Sequence, residues 1–145
     1  YTGARLASGV ISYEEVGKEL PLSEIVELDV VETKYNKEEK SVTGCVDILD
    51  VRFGSLWTSI SRDDFYLLNP EFGKRFEVSI FHEHMLVYQN QVVYQHSFAE
   101  VAIGSPLLYI NSVYRLGIAI NQGSFARAYN VGTGTNWKIR IRAID

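Results

Sequence analysis

The chain of 145 residues is poor in the residues that fix a fold by chemistry. It has one cysteine, Cys45, so no internal disulfide can form and no thiolate zinc set exists. That scarcity fits a reducing compartment, and a cytoplasmic setting is the expectation; Cys45 itself reads as a small core residue. There are only three prolines, and the one methionine is Met85 rather than a start residue. A chain beginning at Tyr1 reads as a fragment, a processed product or a trimmed piece, so a missing leader carries no information. No apolar run approaches the ~20 residues of a membrane helix, and a membrane is not an expected partner. Lys and Arg number 14 against 18 Asp and Glu, for a net charge of −4, and the cations are scattered. This is a poor instrument for gripping phosphate backbones, and nucleic acid is not an expected partner.

What is present is ordinary globular composition, 46% hydrophobic and 22% charged, in a length that suits one domain. The first residues, Tyr1–Ser8, read as the end of a helix with Gly9 as its stop. Ser12 and Glu15 have capping-box spacing, and Gly17, Pro21 and Ser23 then interrupt any regular element. Residues 1–24 are therefore expected to be a connecting segment, and residues 25–145 a separate body. In that body Ile25–Tyr35 and Val42–Val51 read as strands about the charged turn 36–40. Phe76–Tyr88 and Val92–Val101 read as a hairpin closed by Gln89, Asn90 and Gln91. Leu107–Ile110 and Leu116–Ile120 are two more short strands. In the last one Trp137, Ile139 and Ile141 alternate with Lys138, Arg140 and Arg142, one face dry and one wet. Arg62–Leu68 is the one expected helix of the body, with Asp63 and Asp64 in its first turn and Asn69-Pro70 closing it. The expected fold class is all-β: a small β-barrel of short, mostly antiparallel strands behind a short N-terminal segment.

No catalytic motif emerges from the residues alone. His82 and His84 share a strand face and His96 lies on the expected partner strand, yet no carboxylate pattern accompanies them. They read as polar positions of a hairpin, and no metal is expected. Three stretches stand apart from scaffold. Asp50–Ile60 places an acid, two aromatics and several hydroxyls around Gly54; Ser97–Val101 leads into Gly104–Ser112; and Gly117–Gly123 ends the series. Aromatic faces beside amides and hydroxyls suit a flat purine, stacking for area and hydrogen bonds for identity.

The order and spacing of these stretches resemble the C-terminal domain of the S-adenosyl-L-methionine hydroxide adenosyltransferase family, which includes the fluorinase and chlorinase enzymes. In that family a strand bearing an acid runs into a Phe-Gly-Asn-x-x-Thr-Asn-Ile type motif. A Gly-x-Pro-Leu segment then leads to an Asn-Ser pair and a final apolar-Asn motif. The corresponding stretches here are Asp50–Ile60, Gly104–Ser112 and Leu116–Asn121. The resemblance implies a β-barrel that follows an N-terminal α/β domain, in a homotrimer. The ligand would lie between the barrel and the N-terminal domain of a neighbouring subunit. Water, or less often halide, would attack the ribose C5′ of S-adenosyl-L-methionine and release methionine, with no further cofactor; this chain alone would not turn over. Asp50 would hold the methionine ammonium and Ser112 its carboxylate. Phe98 would stack on adenine with Phe53 and Trp57 completing the slot, and Asn121 with its neighbouring backbone would meet the adenine edge. Three positions depart from the pattern. Ser55 and Ser59 stand where the family has asparagines, and Val113 where halogenating members have arginine. A hydrogen bond lost to a charged group costs about 1.5–3 kcal/mol of binding. The departures leave open a barrel that binds or assembles without catalysis, and beyond it an unrelated all-β interaction domain.

Overall fold

The computed structural model describes residues 1–27 and 31–144. Its body is a single closed sheet. Strand β1 (Lys34–Asn36) pairs with β2 (Ser41–Leu49), followed by β3 (Leu56–Ser61), helix α2 (Arg62–Tyr66), β4 (Arg75–His82), β5 (Met85–Tyr94), β6 (Pro106–Ile110), β7 (Arg115–Ile120), helix α3 (Phe125–Tyr129) and β8 (Gly134–Ala143); helix α1 (Thr2–Ala7) precedes them all. The spatial order β2-β3-β7-β6-β5-β4-β8 returns to β2, giving a seven-stranded barrel with β1 laid along the first half of β2. Among the described residues every pairing is antiparallel except β5–β6. Closure leaves no long free edge for another chain to extend.

Alternation builds the interior. On β8, Ile139 and Ile141 are fully buried, while Arg142 lies outside in a forked pair with Glu77 at 3.0 Å for both bonds. Val78 and Ile80 of β4, Leu116 and Ile118 of β7, and Val42 and Val46 of β2 complete the same wall. The two short helices close the ends. Ser61 caps α2, accepting from the Asp64 amide at 3.0 Å, and Phe65 enters the core at 5.1 Å from the rings of Phe76 and Tyr94. Ser124 caps α3 in the same way, and Phe125 packs edge-on against Tyr88 at 4.9 Å.

Four expectations are corrected. The β4–β5 turn is the two-residue Glu83-His84, with Glu83 at φ 57°, whereas Gln89–Gln91 run on as strand opposite Ser79, Val78 and Glu77. Gln89, Asn90 and Gln91 are all exposed, and Gln89 and Gln91 stand in the outward column opposite Ser79 and Glu77, where a strand needs no apolar residue. Strand β3 takes up the second half of the Asp50–Ile60 stretch and adds Ser61, where a candidate site rather than an element was expected; its register makes it the wall between β2 and β7. The strand expected over Ile25–Tyr35 is limited to its end, Lys34–Asn36; Ile25 and Val26 are exposed, and residues 28–30 lie outside the described residues. The strand expected to continue to Val101 ends at Tyr94, because residues 95–105 must run back along the barrel to start β6 parallel to β5. At the N-terminus, helix α1 ends before Gly9 as expected, and the Ser12 amide donates to Glu15 Oε2 at 2.8 Å, half of a capping box. Every residue from Leu20 to Glu27 is exposed.

Candidate functional site

Six of the seven site residues expected from sequence, all but Ser112, gather at one end of the barrel, where β2 and β7 finish and β3 and β6 begin. The link from Leu49 to Leu56 is a tight hairpin. Asp50 Oδ1 accepts from the amides of Arg52 at 2.9 Å and Phe53 at 3.3 Å, and the Asp50 amide donates to the Ser55 carbonyl at 2.9 Å. The carboxylate thus replaces ladder partners that the bend removes. Gly54 has φ +67° and lies against Ser124; a Cβ there would overlap the Ser124 hydroxyl, so no larger residue keeps this loop on α3. The Ala126 amide donates to the Gly54 carbonyl at 3.0 Å and fastens the contact.

A second wall comes from the crossover. Ser97 Oγ accepts from the Ala99 amide at 3.3 Å, and Glu100 reaches back to the His96 amide at 3.2 Å. This short turn presents Phe98, whose ring stands 5.1 Å from Tyr109. Asn121 closes the arrangement. Its side-chain amide donates to the Val101 carbonyl at 2.9 Å, its backbone amide to Ser105 at 3.0 Å, and its carbonyl accepts from Gly104 at 2.8 Å. The side chain that sequence assigned to a ligand edge therefore also pins the crossover to β7.

Between these walls lies an open cleft of about 570 Å³, a size that suits a small ligand. Phe53, Phe98, Ile120 and Asn121 line it, together with Arg52 and Arg127. Phe53 is 65% exposed and Phe98 38%, so both rings offer a free face. Of the seven residues expected in the site, the cleft brings together Phe53, Phe98 and Asn121. Asp50, Ser55 and Trp57 stand behind its wall, around Tyr109. Trp57 Nε1 donates to the Tyr109 hydroxyl at 3.1 Å, and Ser55, only 2% exposed, bonds to the same phenol. Burial pushes the Tyr109 phenol above its ordinary value; the Trp57 and Ser55 bonds oppose the rise, and the Asp50 charge adds to it.

Ser112 is elsewhere. It sits in the β6–β7 turn beside α2, where the Arg62 amide donates to the Tyr114 carbonyl at 2.9 Å. The six residues of β3 separate that end from the cleft, ~20 Å along the strand. Asn111 supports the turn, its Oδ1 accepting from Val113 at 3.1 Å and Arg115 at 2.9 Å. Ser59 is a wall residue whose hydroxyl accepts from the Cys45 amide at 3.0 Å across the irregular β2–β3 register. The histidines also have structural partners. His82 stacks on Trp137 at 4.4 Å, and His96 meets Phe72 edge-on at the opposite end of the barrel. Among the described residues no three potential ligands gather for a metal.

Sequence reasoning missed three participants. Tyr109 lay inside a recognised block, and its pairing with Trp57 across 52 residues had no local signal. Arg52 and Arg127 were given no role from sequence, and only the folding of the 50–55 loop onto α3 puts them in one cleft.

The chain is thus a closed seven-stranded β-barrel domain with an aromatic, amide-edged cleft at one end. Residues 44–138 match the SAM hydroxide adenosyltransferase C-terminal domain, and the chain belongs to that family. It is 30% identical over 137 residues to a fluorinase of Actinopolyspora mzabensis, covering 94% of this chain and 44% of that protein. A fluorinase of Nocardia brasiliensis is 28% identical over 139 residues, covering 95% and 44%. Among solved structures, a conserved protein of Thermotoga maritima superimposes with TM-score 0.71 at 26% identity over 96% of this chain and 48% of that one. A conserved protein of Thermus thermophilus gives TM-score 0.53, also at 26% identity, over 97% and 48%. The chain spans about half the length of the relatives it matches. No described helix is long and apolar enough to cross a membrane.

Proposed function

We propose that this chain is the nucleoside-binding part of an enzyme that cleaves S-adenosyl-L-methionine at the ribose C5′, with water or hydroxide as nucleophile in preference to halide, giving adenosine and methionine. The observation that carries the reading is the cleft itself: two half-exposed rings, Phe53 and Phe98, beside the Asn121 segment, in a family described by that reaction. A sulfonium is a good leaving group, so the chemistry asks mainly for alignment and exclusion of bulk water. The barrel's share is to fix the adenosyl group. The nucleophile would be held by a further domain, reached through residues 1–24, in a homotrimer where barrel and neighbouring subunit meet. Ser112 lies a strand length from the cleft; in this reading it serves the ligand of a neighbouring copy. S-adenosyl-L-methionine is the substrate, and no cofactor is invoked.

The test is chromatographic: incubate the full-length gene product with S-adenosyl-L-methionine and quantify adenosine and methionine. Equal release of both supports the reading, and untouched substrate counts against it.

A second reading is a barrel that binds a nucleoside, or only assembles, without catalysis. The serines favour it: Ser55 is buried against Tyr109 and Ser59 is bonded within the wall, so neither has the amide reach of an asparagine. Nucleoside binding without turnover in the same assay would select it.

A further inference from the structure

We infer that Arg52 and Arg127 make the cleft a site for an anion-bearing purine nucleoside, the two guanidiniums gripping a carboxylate or phosphate carried on the sugar side. The inference rests on the nucleoside reading above and goes further, naming a charge that the ligand must carry.

The whole chain carries −4, yet the residues lining the cleft include two arginines and no acid. Arg52 comes from the 50–55 loop and Arg127 from α3, and both stand beside Phe53 because Gly54 packs that loop against Ser124. Neither guanidinium has an ion pair or side-chain hydrogen bond among the described residues. Two other arginines do have carboxylate partners, Arg142 with Glu77 and Arg62 with Asp63. Asp50, two residues before Arg52, turns Oδ1 onto the amides of its own loop. Two unmatched guanidiniums at the mouth of an apolar slot present forked donors to a planar or tetrahedral anion, while the rings take the base. The same field disfavours a ligand whose only charge is positive.

Carboxylate and phosphate share this chemistry, and the measurement separates them. Dissociation constants for adenosine, adenosine 5′-monophosphate and S-adenosylhomocysteine, with inorganic phosphate and methionine as base-free controls, are read from chemical-shift titrations of the isotope-labelled chain, at low and high salt. They are repeated with the double variant Arg52→Gln, Arg127→Gln, after its spectrum has shown the native fold. An anionic ligand is expected to bind about tenfold more tightly than adenosine, as charge-assisted bonds allow. That gap should shrink with salt and vanish in the double variant. A gap for the monophosphate identifies phosphate; one for the homocysteine compound identifies carboxylate. If adenosine binds as well as both, or the gap survives the double variant, the arginine inference is overturned and the nucleoside reading stands. If arginine-dependent binding of inorganic phosphate or methionine appears while adenosine shifts nothing, the arginine site stands and the nucleoside reading falls. Silence from every ligand overturns both.

Discussion

Trp57 on β3 and Tyr109 on β6 join at 3.1 Å across an intervening strand, because the residue between them on β7, Gly117, has no side chain. A Cβ on Gly117 would stand 2.7 Å from two carbons of the Tyr109 ring. The indole–phenol bond therefore depends on an absence, and it forms the floor behind Phe98.

Gly117→Ala is predicted to force the Tyr109 ring outward and destabilise the barrel by about 1–3 kcal/mol, the usual cost of overpacking. Urea unfolding measures the loss. Tryptophan emission should shift as well, since the Trp57 indole loses its partner; an alanine variant as stable as the parent would show that the ring yields freely.

The bond itself is accessible to a double-mutant cycle. Trp57→Phe and Tyr109→Phe are expected to couple by about 0.5–1.5 kcal/mol in unfolding free energy, the net range for a neutral hydrogen bond. Additive losses would mean that the two side chains contribute through packing alone.

Asp50 has two candidate duties, holding its loop and meeting a ligand charge, and two substitutions separate them. Asp50→Asn keeps an oxygen to accept the Arg52 and Phe53 amides, while Asp50→Ala removes it. The alanine variant should lose about 1 kcal/mol of stability, as a lost cap does, and weaken adenosine and S-adenosyl-L-methionine alike. The asparagine variant should retain the loop and weaken the sulfonium ligand more than adenosine. Equal weakening by asparagine would assign Asp50 to the loop alone.

Alkaline pH tests the buried phenols. Burial, with the nearby Tyr129 phenol adding, pushes Tyr88 up to about 12; burial raises Tyr94 and Tyr109 as well. A phenol that ionises near 10 when unfolded but holds its proton when folded stabilises the barrel fully below 10. That contribution declines as pH rises through the folded value. Unfolding free energy should therefore fall between pH 10 and 12, and Tyr88→Phe should flatten part of the slope. A flat profile in the parent would contradict the burial of these hydroxyls.

Much of the barrel was legible because alternation is a local signal. Trp137–Arg142 declared its faces from spacing alone, the β6 and β7 runs read as short strands, and α2 was expected with Asp63 and Asp64 in its first turn. The Glu83-His84 turn was hidden because neither residue is typical of a hairpin and a more polar triplet lay six residues on. Helix α3 was missed because five residues carry too little periodicity to register. In the site, Phe53, Phe98 and Asn121 were found through motif order. Ser112 belonged to the same motif yet stands at the far end, since a hairpin places its turn a strand length from its ends. Arg52 and Arg127 were out of reach because their meeting depends on Gly54 resting on Ser124, 70 residues away in sequence.

The most direct test of the central claim is an adenosine titration of the isotope-labelled chain, followed residue by residue. The account predicts saturable shifts confined to Val51–Ser55, Phe98 and Asn121–Ser124, with the Asn111–Tyr114 turn unmoved. No saturable shift at millimolar adenosine, or shifts centred on Tyr94 and Tyr114 at the other end, would contradict it.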